Sequence, residues 1–191
     1  MKYLNESELK GFFQLVKQKK NIRNELLFRF TYHYGLRVQE AINIRIKDIH
    51  PKLIEMKIHR VKNGIERTYP LCANDIILLK KWLKKRSKHP YANENPYLFI
   101  TSHSTMNSIS KITAQKLFEK YATESGIEKK RCHPHVLRHS CAIQLLMNGN
   151  DVVTVKNWLG HNSIQSTLRY LEIAVPEWKK IATGIINKFA I

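Results

Sequence analysis

From His135 to Tyr170 the chain is punctuated so densely that short helices joined by tight turns are what it can form. Apolar residues recur at helical spacing from His135 to Met147, and Asn148-Gly149 stops them. Asp151 opens a second helix that runs to Leu159, and Gly160 ends it. Ser163 caps a third, which carries Tyr170 at or near its end.

The rest of the chain follows the same grammar with one interruption. Asn5 with Glu8 three residues on is a capping-box pattern, and it opens a helix whose Leu9, Phe12, Phe13 and Val16 share a face. A second helix runs from about Ile22 to Tyr34 and stops at Gly35, and a short third holds Val38 to Asn43. Arg37 therefore falls in a tight junction between helices. Leu53 to Ile58 alternates as a strand, Asn63-Gly64 is a two-residue hairpin signal, and Glu66 to Leu71 predicts the returning strand, with Lys62 at the tip. Helices are expected from Asn74 to about Arg86 and from about Ser110 to Ser125, with a Pro- and Asn-rich loop, His89 to Pro96, between them. Pro176 opens a last helix that sets Trp178, Ile181, Ile185 and Phe189 on one face. The expectation is a mainly α fold with a small antiparallel β-sheet, an α+β domain over 1–191. A hydrophobic fraction of 43% supplies one core, and no Pro-, Gly- or Ser-rich stretch divides the 191 residues.

Charge narrows the partner. Thirty-three Lys and Arg against 15 Asp and Glu leave a formal charge of +18, a potential that attracts polyanions, nucleic acid first. A solvated basic surface has the same composition, and Lys80, Lys81, Lys84 and Lys85 fit either case. Cys72, Cys132 and Cys141 are widely spaced and odd in number, which suits neither a zinc site nor a disulfide framework and favours a reducing interior. With no signal-peptide pattern and no apolar run of about eighteen residues, a cytoplasmic protein is expected, without a membrane partner.

On a helix, His135, Arg138 and His139 fall within a sector of roughly 100°, opposite Leu137, Cys141 and Leu145. A zinc site on this histidine pair would lack the required Glu and would place a guanidinium beside the dication, so no metal is expected. An arginine fork holds two phosphate oxygens at every relevant pH. Two forks suit a pentacoordinate phosphorane, whose extra negative charge exists only in the transition state. Arg37 and Arg138 are the candidates. Each motif has an ordinary alternative: Asp151 to Leu171 also reads as a helix-turn-helix in which Tyr170 is a phosphate or core contact.

Taken in order, these pieces resemble the tyrosine recombinase and integrase family over roughly Asn5 to Tyr170. The family's Gly-x-Arg with a nearby Glu is met by Gly35, Arg37 and Glu40, its hairpin lysine by Lys62, and its His-x-x-Arg-His by His135, Arg138 and His139. Leu159-Gly160-His161 follows, and Tyr170 stands nine residues after His161. Ile58-His59-Arg60 and the run from His133 to Cys141 look most like the short fimbrial phase-variation recombinases. The resemblance implies DNA cleavage and rejoining through a 3′-phosphotyrosyl bond, without cofactor or metal. Arg37, Arg138 and His161 would hold the phosphate, His135 would assist proton transfer from Tyr170, and Lys62 would protonate the leaving 5′ oxygen. Glu40 and His139 would serve as buttresses.

It further implies double-stranded DNA with inverted-repeat sites as partner, a homo-oligomer that is a tetramer in synapsis, and a place on the nucleoid. The last helix would dock on a neighbouring protomer, and no N-terminal core-binding domain is expected. A relaxing enzyme like the type IB topoisomerases shares the phosphotyrosine step, and a non-catalytic helix-turn-helix regulator remains the alternative from another class.

Overall fold

Asn5 opens α1 (Glu6–Gln18) with the expected reciprocal box: its side chain accepts from the Glu8 amide at 2.9 Å, and Glu8 accepts from the Asn5 amide at 3.0 Å. The computed structural model describes residues 2–61, 64–101 and 107–174. After α1 come α2 (Ile22–His33), α3 (Val38–Ile42), β1 (Glu55–Ile58), β2 (Arg67–Pro70), α4 (Ala73–Arg86) and α5 (Lys111–Glu124). Then follow α6 (His135–Met147), α7 (Val152–Leu159) and α8 (Gln165–Ala174), with 3-10 turns at Ile46–Asp48 and Lys129–Arg131. The class is the expected one, mainly α with a small antiparallel sheet. No described helix is long and apolar enough to cross a membrane.

α2 buries residues on every side, Leu26, Leu27, Phe28, Phe30 and Thr31 among them, because α1, α3, α4 and α6 all pack on it. Phe12 of α1 lies 5.7 Å from Phe28 and 5.0 Å from Phe118 of α5, so three helices meet in one aromatic cluster. Glu8, besides capping α1, receives Arg131 at 2.8 Å and 2.5 Å and so ties the start of the chain to the segment that leads into α6. A second, smaller core joins the last three helices through Ala142, Ile143, Val155, Leu159 and Tyr170. This second core fixes where α8 can sit.

The strands of the hairpin lie where the sequence predicts them, paired antiparallel from Glu55↔Pro70 to Ile58↔Arg67. Arg60, just past β1, turns its side chain into the protein, where it meets a buried carboxylate and three further acceptors. Lys62 and Asn63 lie outside the described residues, as does the expected helix after Pro176.

Two glycines show how closely the last third approaches the first. Gly35 ends α2 with φ +55°, and a Cβ there would run into the side chain of Leu159 at the end of α7. Gly160, with φ +66°, caps α7, and a Cβ on it would meet Arg60 Nε at 2.7 Å. The two helix ends and Arg60 are thus in contact, and the candidate site forms around them.

Candidate active site

Glu40 is the centre of the arrangement. It is 2% exposed on α3, and its carboxylate accepts from Arg37 Nη1 at 2.6 Å, from the Arg37 amide at 2.9 Å and from Arg60 Nη1 at 2.8 Å, with Arg138 Nη1 at 3.6 Å. Burial by itself would raise its pKa. The charges of Arg60 and Arg138 and the bonds from Arg37 outweigh that, and the carboxyl stays below its ordinary value. Three guanidinium groups from three separate segments therefore share one anion, leaving the cluster with net positive charge where a phosphate would sit.

Arg138 is 3% exposed. It donates to the Gly35 carbonyl and, at 3.0 Å, to the Leu159 carbonyl, which locks its fork between the ends of α2 and α7. Burial, with Arg37 next, lowers its pKa to about 10, so it stays charged at neutral pH. Arg37 keeps 21% of its side-chain surface accessible and is the more open of the pair.

From Arg138 outward, aromatic rings stand in a row. His135 lies 6.2 Å from His139, His139 lies 5.7 Å from Tyr170, and Tyr170 lies 6.5 Å from His161 with the two planes only 6° apart. The Tyr170 hydroxyl is 3.0 Å from His139 Nδ1, and His161 Nδ1 is 2.8 Å from Thr167 Oγ1. Thr167, fully buried on α8, thereby occupies one nitrogen of His161, so any phosphate contact of that ring falls to Nε2.

The charges set the protonation states. Burial, then Arg138 and Arg37, lowers His161 to about 3, and burial with His135 next lowers His139 to about 4. Both rings are neutral at pH 7, and a neutral His139 can accept the Tyr170 hydroxyl hydrogen at Nδ1. Burial raises Tyr170 above its ordinary value, only partly opposed by Arg138 and Arg169. Tyr170 is therefore a phenol at neutral pH, and it could act as a nucleophile only if a base took its proton.

A stability prediction follows from these shifts. A histidine whose folded pKa lies below the unfolded value of about 6.5 adds stability above that pH and loses it as pH falls towards the folded value. His133, His135, His139 and His161 all shift this way, while His59 shifts upward through bonds to Glu66 and Asp48 and works against them. Urea midpoints are expected to fall between pH 7 and pH 4.5, about the window these shifts define. A flat profile there would contradict the neutral, buried histidines.

Arg37, His135, Arg138, His161 and Tyr170 are thus brought together, while Lys62 lies outside the described residues. Two participants carried no clear sequence signal. Arg60 stood only within a tripeptide noted for resemblance, and Thr167 was one more polar position on a helix. His139, read as a buttress, is the direct partner of the Tyr170 hydroxyl. The described residues with metal-ligand chemistry close together are His33, Cys72 and Asp75, whose donor atoms lie within 4.8 Å of one another. Asp75 already pairs with Arg29 at 2.7 Å and His33 at 2.6 Å, so a cation holds the place a metal would need.

An anion-binding frame of arginines and histidines, with a tyrosine brought to it on a separate short helix, is the architecture of tyrosine recombinase catalytic domains. The chain belongs to the phage integrase family, whose model matches residues 2–176. It is 30% identical over 169 residues to the type 1 fimbriae regulatory protein FimB of Escherichia coli K12, covering 88% of this chain and 82% of FimB. It is also 30% identical over 180 residues to the tyrosine recombinase XerA of Pyrococcus furiosus, covering 94% of this chain and 60% of XerA. Among solved structures it resembles the XerH site-specific recombinase in a post-cleavage complex with palindromic difH substrate, with TM-score 0.81 and 27% identity. That match covers 95% of this chain and 52% of XerH, so the chain spans little more than half of the Xer proteins and most of FimB.

Proposed function

We propose that the protein is a site-specific DNA recombinase that cleaves and rejoins strands through a 3′-phosphotyrosyl intermediate. The observation that carries this reading is the meeting of Arg37 and Arg138 on Glu40, with His161 and Tyr170 stacked beside them within reach of both arginine charges, from segments far apart in the chain. Tyr170 is only 3% exposed, so DNA must uncover its hydroxyl before attack. Its oxygen bonds to the scissile phosphorus while His139 Nδ1, 3.0 Å from the hydroxyl, takes the proton and His135 assists the transfer. Arg37, Arg138 and His161 Nε2 stabilise the added charge on the phosphorane. The bond from phosphorus to the 5′ oxygen breaks, and Lys62 supplies that oxygen with a proton. Because the phosphotyrosyl bond keeps the energy of the phosphodiester, a 5′ hydroxyl from another duplex reverses the steps without nucleotide hydrolysis.

The partner is double-stranded DNA with inverted repeats, bound by a homo-oligomer that is a tetramer in synapsis, on the nucleoid. The palindromic substrate of XerH supports the inverted repeat. The segment after Pro176, with Trp178, Ile181, Ile185 and Phe189, docks on a neighbouring protomer. Removing residues after Glu177 is expected to leave single-site binding in a gel-shift assay and to abolish pairing of two duplexes. A truncated protein that recombines normally would overturn the docking.

The reading is tested with a supercoiled plasmid carrying two copies of the DNA that flanks the gene. Recombinant plasmids are expected. Relaxed topoisomers alone would instead mark a topoisomerase, and unchanged plasmid with bound protein would mark a regulator.

A further inference from the structure

The last turn of α7 closes on itself as it carries the chain into the site. With Gly160 left-handed at φ +66°, the Gly160 amide donates to the Asn157 carbonyl at 3.2 Å and the His161 amide to the Lys156 carbonyl at 3.0 Å, the paired bonds of a Schellman turn. Residues 156–161 therefore move as one unit. Where Asn157 and Trp158 are held, the backbone of His161 is held with them.

Trp158 is gripped by residues outside the anion-binding frame. Its indole Nε1 donates to the carbonyl of His33, the last residue of α2, at 3.0 Å, and its ring meets Tyr69 of β2 edge-on at 5.2 Å. The Tyr69 hydroxyl donates in turn to the Trp158 carbonyl at 2.5 Å, beside Arg60 Nη2 at 2.7 Å. Tyr69 is buried, pairs across the sheet with the buried Met56 and stands 5.8 Å from the ring of Tyr34, so this hydroxyl has a rigid mount. One residue earlier, the Asn157 side chain accepts from Arg67 Nη2 of the same strand at 3.0 Å. Trp158 also packs against both hydrophobic cores, and so ties the turn that leads to His161 to the larger body of the protein.

We propose that Trp158 and Tyr69 are positioning residues for His161: through α2 and β2 they fix the last turn of α7, so that Nε2 of the His161 ring, whose Nδ1 is taken by Thr167, faces the phosphate. This rests on the proposed role of His161 as a phosphate ligand. Neither residue touches the reacting atoms, since Tyr69 is buried and the Trp158 ring lies against α2 and β2. Thr167 sets the orientation of the imidazole, and Trp158 with Tyr69 sets where it stands. Arg138 depends on them less, because besides the Leu159 carbonyl it has the Gly35 carbonyl and Glu40 as partners.

A double-mutant cycle separates this role from a contribution to folding alone. Single-turnover cleavage at saturating protein is measured for Trp158→Phe and Tyr69→Phe, each with His161 present and each combined with His161→Ala. Trp158→Phe keeps an aromatic ring and loses the Nε1 hydrogen, and it is expected to slow cleavage about tenfold while DNA affinity stays within about twofold of the wild type. Tyr69→Phe, in which Arg60 still binds the Trp158 carbonyl, is expected to slow cleavage about threefold. Combined with His161→Ala, which is itself slow, neither change is expected to slow cleavage further. Should Trp158→Phe fail to fold, Tyr69→Phe decides by the same comparison. An unchanged rate for both variants, or the same slowing with and without His161, would overturn the proposal. Cleavage at the wild-type rate by His161→Ala alone would instead remove His161 from the phosphate, and the proposal with it, whatever the other two variants do.

Discussion

Tyr170→Phe is expected to lose covalent attachment to DNA altogether while binding a single site within about twofold of the wild type. The change removes one oxygen. The ring keeps its place beside Ala142, Ile143, Val155 and Leu159, and the loss of the hydrogen bond to His139 costs on the order of 1 kcal/mol. A fold-level explanation of the lost activity is therefore unavailable to this variant, provided its melting temperature stays within a few degrees of the wild type. An adduct of ordinary yield would assign the nucleophile elsewhere, and weakened binding in step with lost cleavage would make Tyr170 a DNA contact, as the helix-turn-helix alternative requires.

Arg37→Ala is expected to slow single-turnover cleavage about a hundredfold or more, near 3 kcal/mol of transition-state stabilisation, with a much smaller effect on DNA affinity. The asymmetry arises because the second charge on the phosphorane exists only during the reaction. Arg37 is the cleaner probe of the two arginines: part of its side chain faces solvent, and Glu40 retains Arg60 when it is gone. Arg138→Ala should show a similar kinetic loss together with lower stability, since the carbonyls of Gly35 and Leu159 would lose their donor in a buried place. Equal losses in affinity and rate for Arg37→Ala would make it a ground-state phosphate contact.

The helical frame was legible because its signals are local. The Asn5 and Glu8 box, the Asp151 cap and the stop at Gly160 act within one turn of the chain, and each appears in the structure where the sequence places it. The strands of the hairpin were legible in the same way, the alternation over 53–58 and the return over 66–71 framing the observed ladder of Glu55–Ile58 with Arg67–Pro70. The contacts that build the site were not. Arg37 and Arg138 stood out by residue type and order, but that Arg60 completes the cluster, that Thr167 orients His161 and that His139 meets the Tyr170 hydroxyl are consequences of packing between α6, α7 and α8. No periodicity or spacing carries those contacts.

The chemistry also depends on order among the charges. Glu40 holds the guanidinium groups of Arg37, Arg60 and Arg138 together without letting their mutual repulsion open the site, and burial, with neighbouring positive charge second, keeps His161 and His139 neutral. A phosphate entering the cluster brings negative charge that favours protonated histidine.

The most direct test of the central claim is to trap the intermediate. Wild-type protein is incubated with nicked suicide duplexes made from the DNA that flanks its gene, the products are resolved under denaturing conditions, and the attached peptide is mapped by mass spectrometry. The expected result is a protein–DNA adduct on the peptide containing Tyr170, joined to a 3′ phosphate, with a free 5′ hydroxyl on the released strand. Attachment at another residue, linkage to a 5′ phosphate, or cleavage without any adduct would contradict a phosphotyrosyl mechanism at this site.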